Sequence, residues 1–171
     1  MQFQKDDGGR AAAGYKGSAG DCVARAIAIA SQRPYAEVYD RLAEGNKKQR
    51  RGKRQRYRDG KRTARHGILT GRKWFKDYMQ ELGFQWVPCM EFGKGCQVHL
   101  KDGELPMGRL VLSLRRHYVA VIDGVLHDTF DSSPPKHFIM NEIVSDEEYY
   151  RCVYGYWRLT TTESIGNDRI A

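Results

Sequence analysis

Three residues have the side-chain types of a nucleophile, a base and a group that orients the base: Cys22, His117 and Asp128. Cys22 opens the apolar run CVARAIAIA, whose spacing predicts a buried helix over 22–32, with Asp21 as its expected N-cap. A sulfur at a helix N-terminus lies near unpaired N–H groups and the positive end of the macrodipole, which favour the thiolate. The same N–H groups can hold the negative oxygen of a tetrahedral intermediate.

His117 and Asp128 lie on either side of the dipeptide Asp123-Gly124, a strong signal for a two-residue hairpin turn. With that turn, both side chains point to the apolar face of the strand pair as diagonal neighbours, roughly 7–8 Å apart at the backbone. Burying either group alone is costly, so we expect them to pair. The pairing leaves the second imidazole nitrogen free to act as a base.

Each of these residues also has a purely structural interpretation. Cys22 can be a small core residue, and His117 with Asp128 can be a structural hydrogen bond. Asp128 and its neighbour His127 can also be polar residues at a hairpin end. Asp131 replaces Asp128 as the third member if the turn is longer than two residues.

The rest of the chain predicts the elements that must position these groups. A second helix is indicated by Pro34 at its first position and by an apolar stripe of Tyr35, Val38, Tyr39 and Leu42. Thr70 is the expected cap of a third helix. Helices followed by strands are typical of an α+β fold with helices on one face of a C-terminal antiparallel sheet. The predicted helices are 22–32, 34–44 and 71–82, and the predicted strands are 84–88, 96–100, 109–114, 117–122, 125–130 and 151–159.

The segments GDCVARAIAIA and HYVAVIDGVLHDTFDSS together resemble papain-like cysteine peptidases, in the order Cys, His, Asp. They look like the small phage and bacterial members similar to bacteriocin leader peptidases. The resemblance implies a papain-like fold in which Cys22 is the nucleophile, His117 the general base and later acid, and Asp128 the residue that orients His117. It implies a polypeptide substrate and no cofactor.

One position departs from the family pattern. Many papain-like enzymes place a Gln six residues before the Cys as an oxyanion donor, and this sequence has Lys16 there. Lys16 and Ser18 are therefore the candidate oxyanion residues, with Tyr15 as a further substitute. A weak or inactive site is the alternative.

A chain of 171 residues with 40% apolar content predicts one globular domain over 1–171, with 1–20 as a polar N-terminal arm. The first residues do not read as a targeting signal, and no apolar stretch is long enough for a membrane span. We therefore expect a cytoplasmic protein, or one of the host cytoplasm or virion if a phage encodes it.

A basic loop insertion is predicted over 46–66. Within it, 47–65 holds eleven Lys or Arg and one acid, a net charge of +10, so that the rest of the chain carries −2 of the total of +8. The segment is either a solvated mobile loop or an arm for nucleic acid or another anionic partner. The candidate anion-binding residues are Lys47, Lys48, Arg50, Arg51, Lys53, Arg54, Arg56, Arg58, Lys61, Arg62 and Arg65.

The four cysteines are expected to be thiols, because so few in a chain of this length do not suggest a disulfide framework. Cys89, Cys96 and His99 have loose metal-ligand spacing but lack an obvious fourth ligand, so no metal site is predicted. Cys152 lies in an apolar run and is expected in the core.

Three functions follow from these patterns. The leading one is a cysteine hydrolase that cleaves a peptide or isopeptide bond through Cys22, His117 and Asp128. The second is a catalytically silent, phage-associated structural or nucleic-acid-binding protein that acts through 47–65. The third is an acyltransferase or transglutaminase-like enzyme that uses the same triad.

Overall fold

The computed structural model describes residues 1–17, 20–49, 63–133, 139–140, 143–144 and 150–160. Three α-helices and ten strands form within these ranges, together with a 3-10 turn at Ala64–His66. The helices are α1 Cys22–Ser31, α2 Tyr35–Lys48 and α3 Lys73–Glu81. The strands are β1 Gln2–Lys5, β2 Phe84–Pro88, β3 Met90–Glu91, β4 Gly95–Cys96, β5 Arg109–Leu114, β6 His117–Ile122, β7 Val125–Asp128, β8 Ile139–Met140, β9 Ile143–Val144 and β10 Val153–Leu159.

Six of the strands form one sheet in the order β1-β7-β6-β5-β10-β2. Every pairing is antiparallel except that of β1 with β7. Two short ladders, β3–β4 and β8–β9, lie apart from it. The helices and this mostly antiparallel sheet make the chain α+β.

Alternation along the strands gives the sheet two apolar faces. Val111, Ala120 and Trp157 pack in one cluster with the helices. The opposite cluster contains a separate set of strand residues together with Leu100 of a loop: Leu110, Leu112, Val119, Val121 and Leu126. The helix α1 packs chiefly on β6, which brings the start of the helix beside the start of that strand.

The predicted elements are largely confirmed. Strands 84–88, 109–114 and 117–122 have the predicted bounds, whereas 125–130 ends at Asp128 and 151–159 begins at Val153. The predicted strand 96–100 is wrong, since only the short β4 and an isolated bridge between His99 and Cys152 form there.

The N-terminal arm is more ordered than its polar composition predicts. Gln2–Lys5 adds β1 to the sheet edge in parallel with β7. Arg10 is 8% exposed because its guanidinium lies against the carboxylate of Asp21. The glycine-rich and charged composition of the arm did not indicate these long-range pairings.

Two helix ends differ from expectation. The third helix begins at Lys73 rather than at 71, and its cap is Arg72 rather than Thr70. The hydroxyl of Thr70 instead accepts a hydrogen bond from Tyr118. The second helix continues to Lys48, because Asn46 is buried and donates to the carbonyls of Thr63 and Gly67. The predicted loop 46–66 is therefore helical at both ends, and its residues 50–62 lie outside the described ranges.

The expectation of four thiols is wrong. Cys96 and Cys152 form a disulfide with a Cα–Cα distance of 5.8 Å, and Cys152 is only partly buried rather than a core residue. The bridge of His99 to Cys152 holds the two segments side by side, a tertiary contact that spacing could not indicate.

No helix in the described part of the chain is both long and apolar enough to cross a membrane.

The disulfide is expected to stabilise the fold by restricting the unfolded chain. Cys96→Ser should lower the free energy of unfolding by about 4 kcal/mol, because the closed loop spans a sequence separation of 56 residues. Urea denaturation of the oxidised protein measures the change, and the same comparison in a reducing agent, where both proteins lack the disulfide, is the control. An unchanged midpoint in Cys96→Ser would contradict the contribution.

Candidate active site

The hairpin that carries two of the candidate residues has the predicted register. Ile122 pairs with Val125 and Ala120 with His127, across a turn in which Asp123 and Gly124 both have positive φ. Glycine accepts this conformation at no steric cost, which is why the dipeptide fixes a two-residue turn. The register places the first residue of β6 near the last residue of β7.

His117 and Asp128 occupy those two positions and are in direct contact. The imidazole Nε2 lies 2.5 Å from Oδ2 of Asp128, whose residue is 3% exposed. The other carboxylate oxygen, Oδ1, accepts the backbone N–H of Thr129 at 2.7 Å. With Nε2 engaged, Nδ1 is the ring nitrogen available to a thiol.

Cys22 is the first residue of α1 and lies beside this pair. Its thiol lies close enough to the His117 side chain and the Tyr118 backbone for both to lower the pKa of Cys22. The groups are close because α1 packs on β6, so that the first residues of the two elements lie side by side. The structure thus brings Cys22, His117 and Asp128 together.

The electrostatics favour a charged pair of sulfur and imidazole. Burial disfavours the thiolate, but the hydrogen bond and positive charge of His117, with help from Tyr118 and Arg25, lower the pKa of Cys22. Burial also disfavours the imidazolium, yet the hydrogen bonds to Asp128 and Cys22 raise the pKa of His117 to about 9. Both shifts favour the pair of thiolate and imidazolium over the pair of neutral groups.

The carboxylate of Asp128 stays ionised beside this pair. Burial opposes its charge, but the hydrogen bonds from His117 and the Thr129 backbone, together with the charge of Arg25, lower the pKa of Asp128. An ionised Asp128 can orient the imidazole and stabilise its positive form.

Asp21 is the N-cap residue of α1, as predicted, but its side chain does not cap the helix. Its side chain makes no capping hydrogen bond, because the carboxylate is engaged by Arg10, Arg25 and the Tyr35 hydroxyl. The N–H groups of the first turn are consequently left without a side-chain cap, near the sulfur.

Two further residues near the site were not predicted. Phe130 stacks on the His117 ring with centroids 5.2 Å apart and is 52% exposed, so it covers one side of the imidazole. Arg151 lies close enough to Asp128 and Cys22 for their negative charges to oppose the lowering of its pKa by burial. Phe130 could have been predicted, because it is an aromatic residue close to the end of the hairpin that carries His117 and Asp128. Arg151 could not, because it precedes β10 and is distant in sequence from the other site residues.

The candidate oxyanion residues are not joined to the sulfur by the structure. Lys16 has an exposed side chain, and its carbonyl accepts hydrogen bonds from Arg10 and Arg65. Ser18 lies outside the described residues. The oxyanion role of both stays a prediction.

The fallback residue Asp131 does not reach the imidazole. Its carboxylate accepts hydrogen bonds from the backbone N–H and the hydroxyl of Ser133. The hairpin has a two-residue turn, so Asp128 is the residue that faces His117.

Cys89, Cys96 and His99, which have loose metal-ligand spacing in the sequence, do not form a site. Cys96 is engaged in the disulfide, Cys89 is a buried thiol whose pKa is raised by burial, and His99 pairs with Glu104. Across the residues that the structure covers, no group of three or more His, Cys, Asp or Glu side chains is arranged to hold a metal ion.

The basic candidates fall mostly outside the described ranges. Lys47 and Lys48 end α2, where Lys48 pairs with Glu44, and Arg65 binds the Lys16 carbonyl in front of the first helix. The remaining eight lie outside: Arg50, Arg51, Lys53, Arg54, Arg56, Arg58, Lys61 and Arg62.

Comparison of this chain with protein-family models, curated proteins and solved structures finds no match. The site is therefore interpreted from its own geometry.

The ion pair predicts a pH profile for thiol alkylation. Cys22 should react with iodoacetamide faster than Cys89, and its rate should level off well below pH ~8.5, the usual thiol pKa. In His117→Ala the plateau should move to higher pH, because the cation that stabilises the thiolate is removed. Mass spectrometry of the labelled peptides measures both rates, and equal slow labelling of both thiols at neutral pH would contradict the ion pair.

Proposed function

We propose that the chain is a papain-like cysteine hydrolase that cleaves a peptide or isopeptide bond. The observation that supports this most directly is the His117 imidazole bound to the Asp128 carboxylate and close enough to the Cys22 thiol to lower the pKa of that thiol. The same three residue types in the same chain order carry the resemblance to papain-like peptidases. A buried structural pair would have no need of a partly exposed thiol at its end.

The chemistry follows from the charged pair. The Cys22 thiolate attacks the carbonyl carbon, and the N–H groups at the start of α1, which lack a side-chain cap, can stabilise the resulting oxyanion. His117 then gives its proton to the leaving amine as the C–N bond breaks, which leaves a thioester on Cys22. The neutral imidazole next takes a proton from water, whose oxygen attacks the thioester and releases the acid and the thiolate.

An aromatic cavity that shares Tyr118 with the surroundings of the triad supports a polypeptide substrate. It has a volume of about 340 Å³ and lies between α3 and the sheet, with Trp86, Tyr118, Tyr154 and Trp157 among its lining residues. Tyr118 connects the cavity to the site, because it follows His117 directly and its backbone helps to lower the pKa of Cys22. The aromatic lining can bind a large apolar side chain of a peptide.

Acyl transfer uses the same intermediate and differs only in what attacks the thioester. Water gives hydrolysis, whereas an amine gives a new amide bond. Adding a primary amine to a cleavage assay separates the two, since transfer yields an amide in place of the free acid.

Nucleic-acid binding rests on the basic segment rather than on the triad. The eight central cations of that segment lie outside the described residues. The described part of the chain provides no observation in favour of this second function.

Cys22→Ser is expected to abolish cleavage while leaving the fold intact. The hydroxyl is nearly isosteric with the thiol but is not ionised by His117, so the nucleophile is lost. Cleavage of a pooled synthetic peptide library, followed by mass spectrometry, measures activity, and Cys89→Ser is the matched control because it alters a buried thiol away from the triad. Cleavage by Cys22→Ser at the wild-type rate would overturn the proposal.

The same assay tests the aromatic cavity. Trp86→Ala should reduce kcat/KM for the preferred peptides by roughly tenfold, because it removes apolar contact area from the cavity wall. Phe92→Ala is the control, since Phe92 is fully exposed and does not line the cavity. An equal effect of the two substitutions would argue against substrate binding in the cavity.

A further inference from the structure

A buried arginine lies one helical turn after the candidate nucleophile. Arg25 is 4% exposed within the otherwise apolar helix α1. Its Nη1 donates to Oδ1 of Asp21, and its Nη2 lies 3.5 Å from Oδ1 of Asp128. One guanidinium therefore bridges the residue that precedes Cys22 and the carboxylate that faces His117.

We propose that Arg25 is a positioning residue, which holds the Asp128 carboxylate in the orientation that presents Oδ2 to His117 and fixes that carboxylate to the first turn of the nucleophile helix. The inference rests on the proposed function, because it assigns Arg25 a role in the same reaction. Arg25 itself touches neither substrate nor reacting atoms.

The two carboxylate oxygens of Asp128 have different partners, which supports this role. Oδ2 is bound by His117, while Oδ1 receives the Thr129 N–H and the Arg25 guanidinium. A carboxylate held at Oδ1 from two sides cannot rotate freely and exchange its oxygens. The orientation of Asp128 in turn fixes which nitrogen of His117 faces the thiol.

The Asp21 end of the bridge is also held by several partners. Asp21 is fully buried and is held by Arg25, by Arg10 Nε at 2.9 Å and by the Tyr35 hydroxyl. Each charge in this buried ionic chain has an opposite neighbour. Removing one partner would leave a buried charge uncompensated, which is strongly destabilising.

Arg10 extends the chain of charges into the loop that leads to Cys22. Its guanidinium donates to three consecutive carbonyls, each at 3.1 Å. These carbonyls belong to the loop where the family pattern places its oxyanion donor: Tyr15, Lys16 and Gly17. The bridge through Arg25 therefore couples that loop to the His117–Asp128 pair.

Arg25 also contributes charge to the site. Its cation helps to lower the pKa of Cys22, so its removal should raise that pKa. The other charged and titratable groups around the guanidinium, the sulfur and the carboxylate come from several elements: Arg10 and Asp21 before α1, Tyr35 on α2, His117 on β6, Asp128 on β7 and Arg151 before β10.

Arg25→Met and Arg25→Lys separate the two contributions. Arg25→Met removes both the bridge and the charge, so kcat should fall on the order of tenfold or more with KM nearly unchanged, and the alkylation profile of Cys22 should move to higher pH. Arg25→Lys keeps the charge but lacks the fork that spans two carboxylates, so kcat should fall while the alkylation profile stays in place.

Val38→Ala is the matched control for lost stability. Val38 is fully buried in α2, so its truncation weakens the core without touching the ionic chain. It should leave both kcat and the alkylation profile at wild-type values. Where Arg25→Met does not fold, Arg25→Lys carries the test.

Two outcomes overturn the inference without affecting the proposed function. The first is a wild-type kcat in Arg25→Lys. The second is an equal, modest loss of kcat in the Arg25 and Val38 variants with unshifted alkylation profiles of Cys22. In both cases Cys22→Ser is still inactive. Cleavage by Cys22→Ser would instead overturn the proposed function itself.

Discussion

The hydrogen bond between His117 and Asp128 is the interaction on which the rest of the site depends. It engages Nε2 of the imidazole and so leaves Nδ1 for the sulfur of Cys22. Burial alone disfavours both the imidazolium and the thiolate. With the carboxylate in contact, the pKa of His117 rises to about 9, and the charge of His117 helps in turn to lower the pKa of Cys22. The contact of His117 with Asp128 thus favours opposite charges on the sulfur and the imidazole.

Placing so many charges at one edge of the core requires that each be compensated. The buried groups alternate in sign, from Arg10 through Asp21 and Arg25 to Asp128. Such a chain is costly to bury, and an apolar substitute of the same shape is often as stable. Its presence is therefore better explained by the orientation it imposes on Asp128 and on the loop before Cys22 than by stability alone.

The local parts of this arrangement could be predicted from sequence, and the long-range parts could not. Asp123-Gly124 fixes the turn, and period-two alternation then sets the register, so the contact of His117 with Asp128 follows from about a dozen consecutive residues. The Cys96–Cys152 bond, the parallel pairing of β1 and the use of Asp21 as an ionic partner all join distant segments. Spacing along the chain carries no information about such contacts. Asp21 was accordingly predicted to be a helix cap, since local propensity favours that role and the competing arginines cannot be seen from the helix start.

Arg25 shows how a departure from a local pattern can carry information about a site. The run CVARAIAIA is apolar apart from this residue, and a charge on a helix whose other residues are almost all buried must find a counter-charge. Asp21 is four positions earlier on the same face, which satisfies one side of the guanidinium. A planar fork with donors on separate nitrogens can bind a second carboxylate as well, whereas a lysine offers a single nitrogen without this fixed geometry. The second carboxylate is Asp128, on a strand more than a hundred residues away in sequence. The choice of arginine within an apolar helix is thus explained by the need to hold the two halves of the site, the nucleophile helix and the His–Asp hairpin, at a fixed separation.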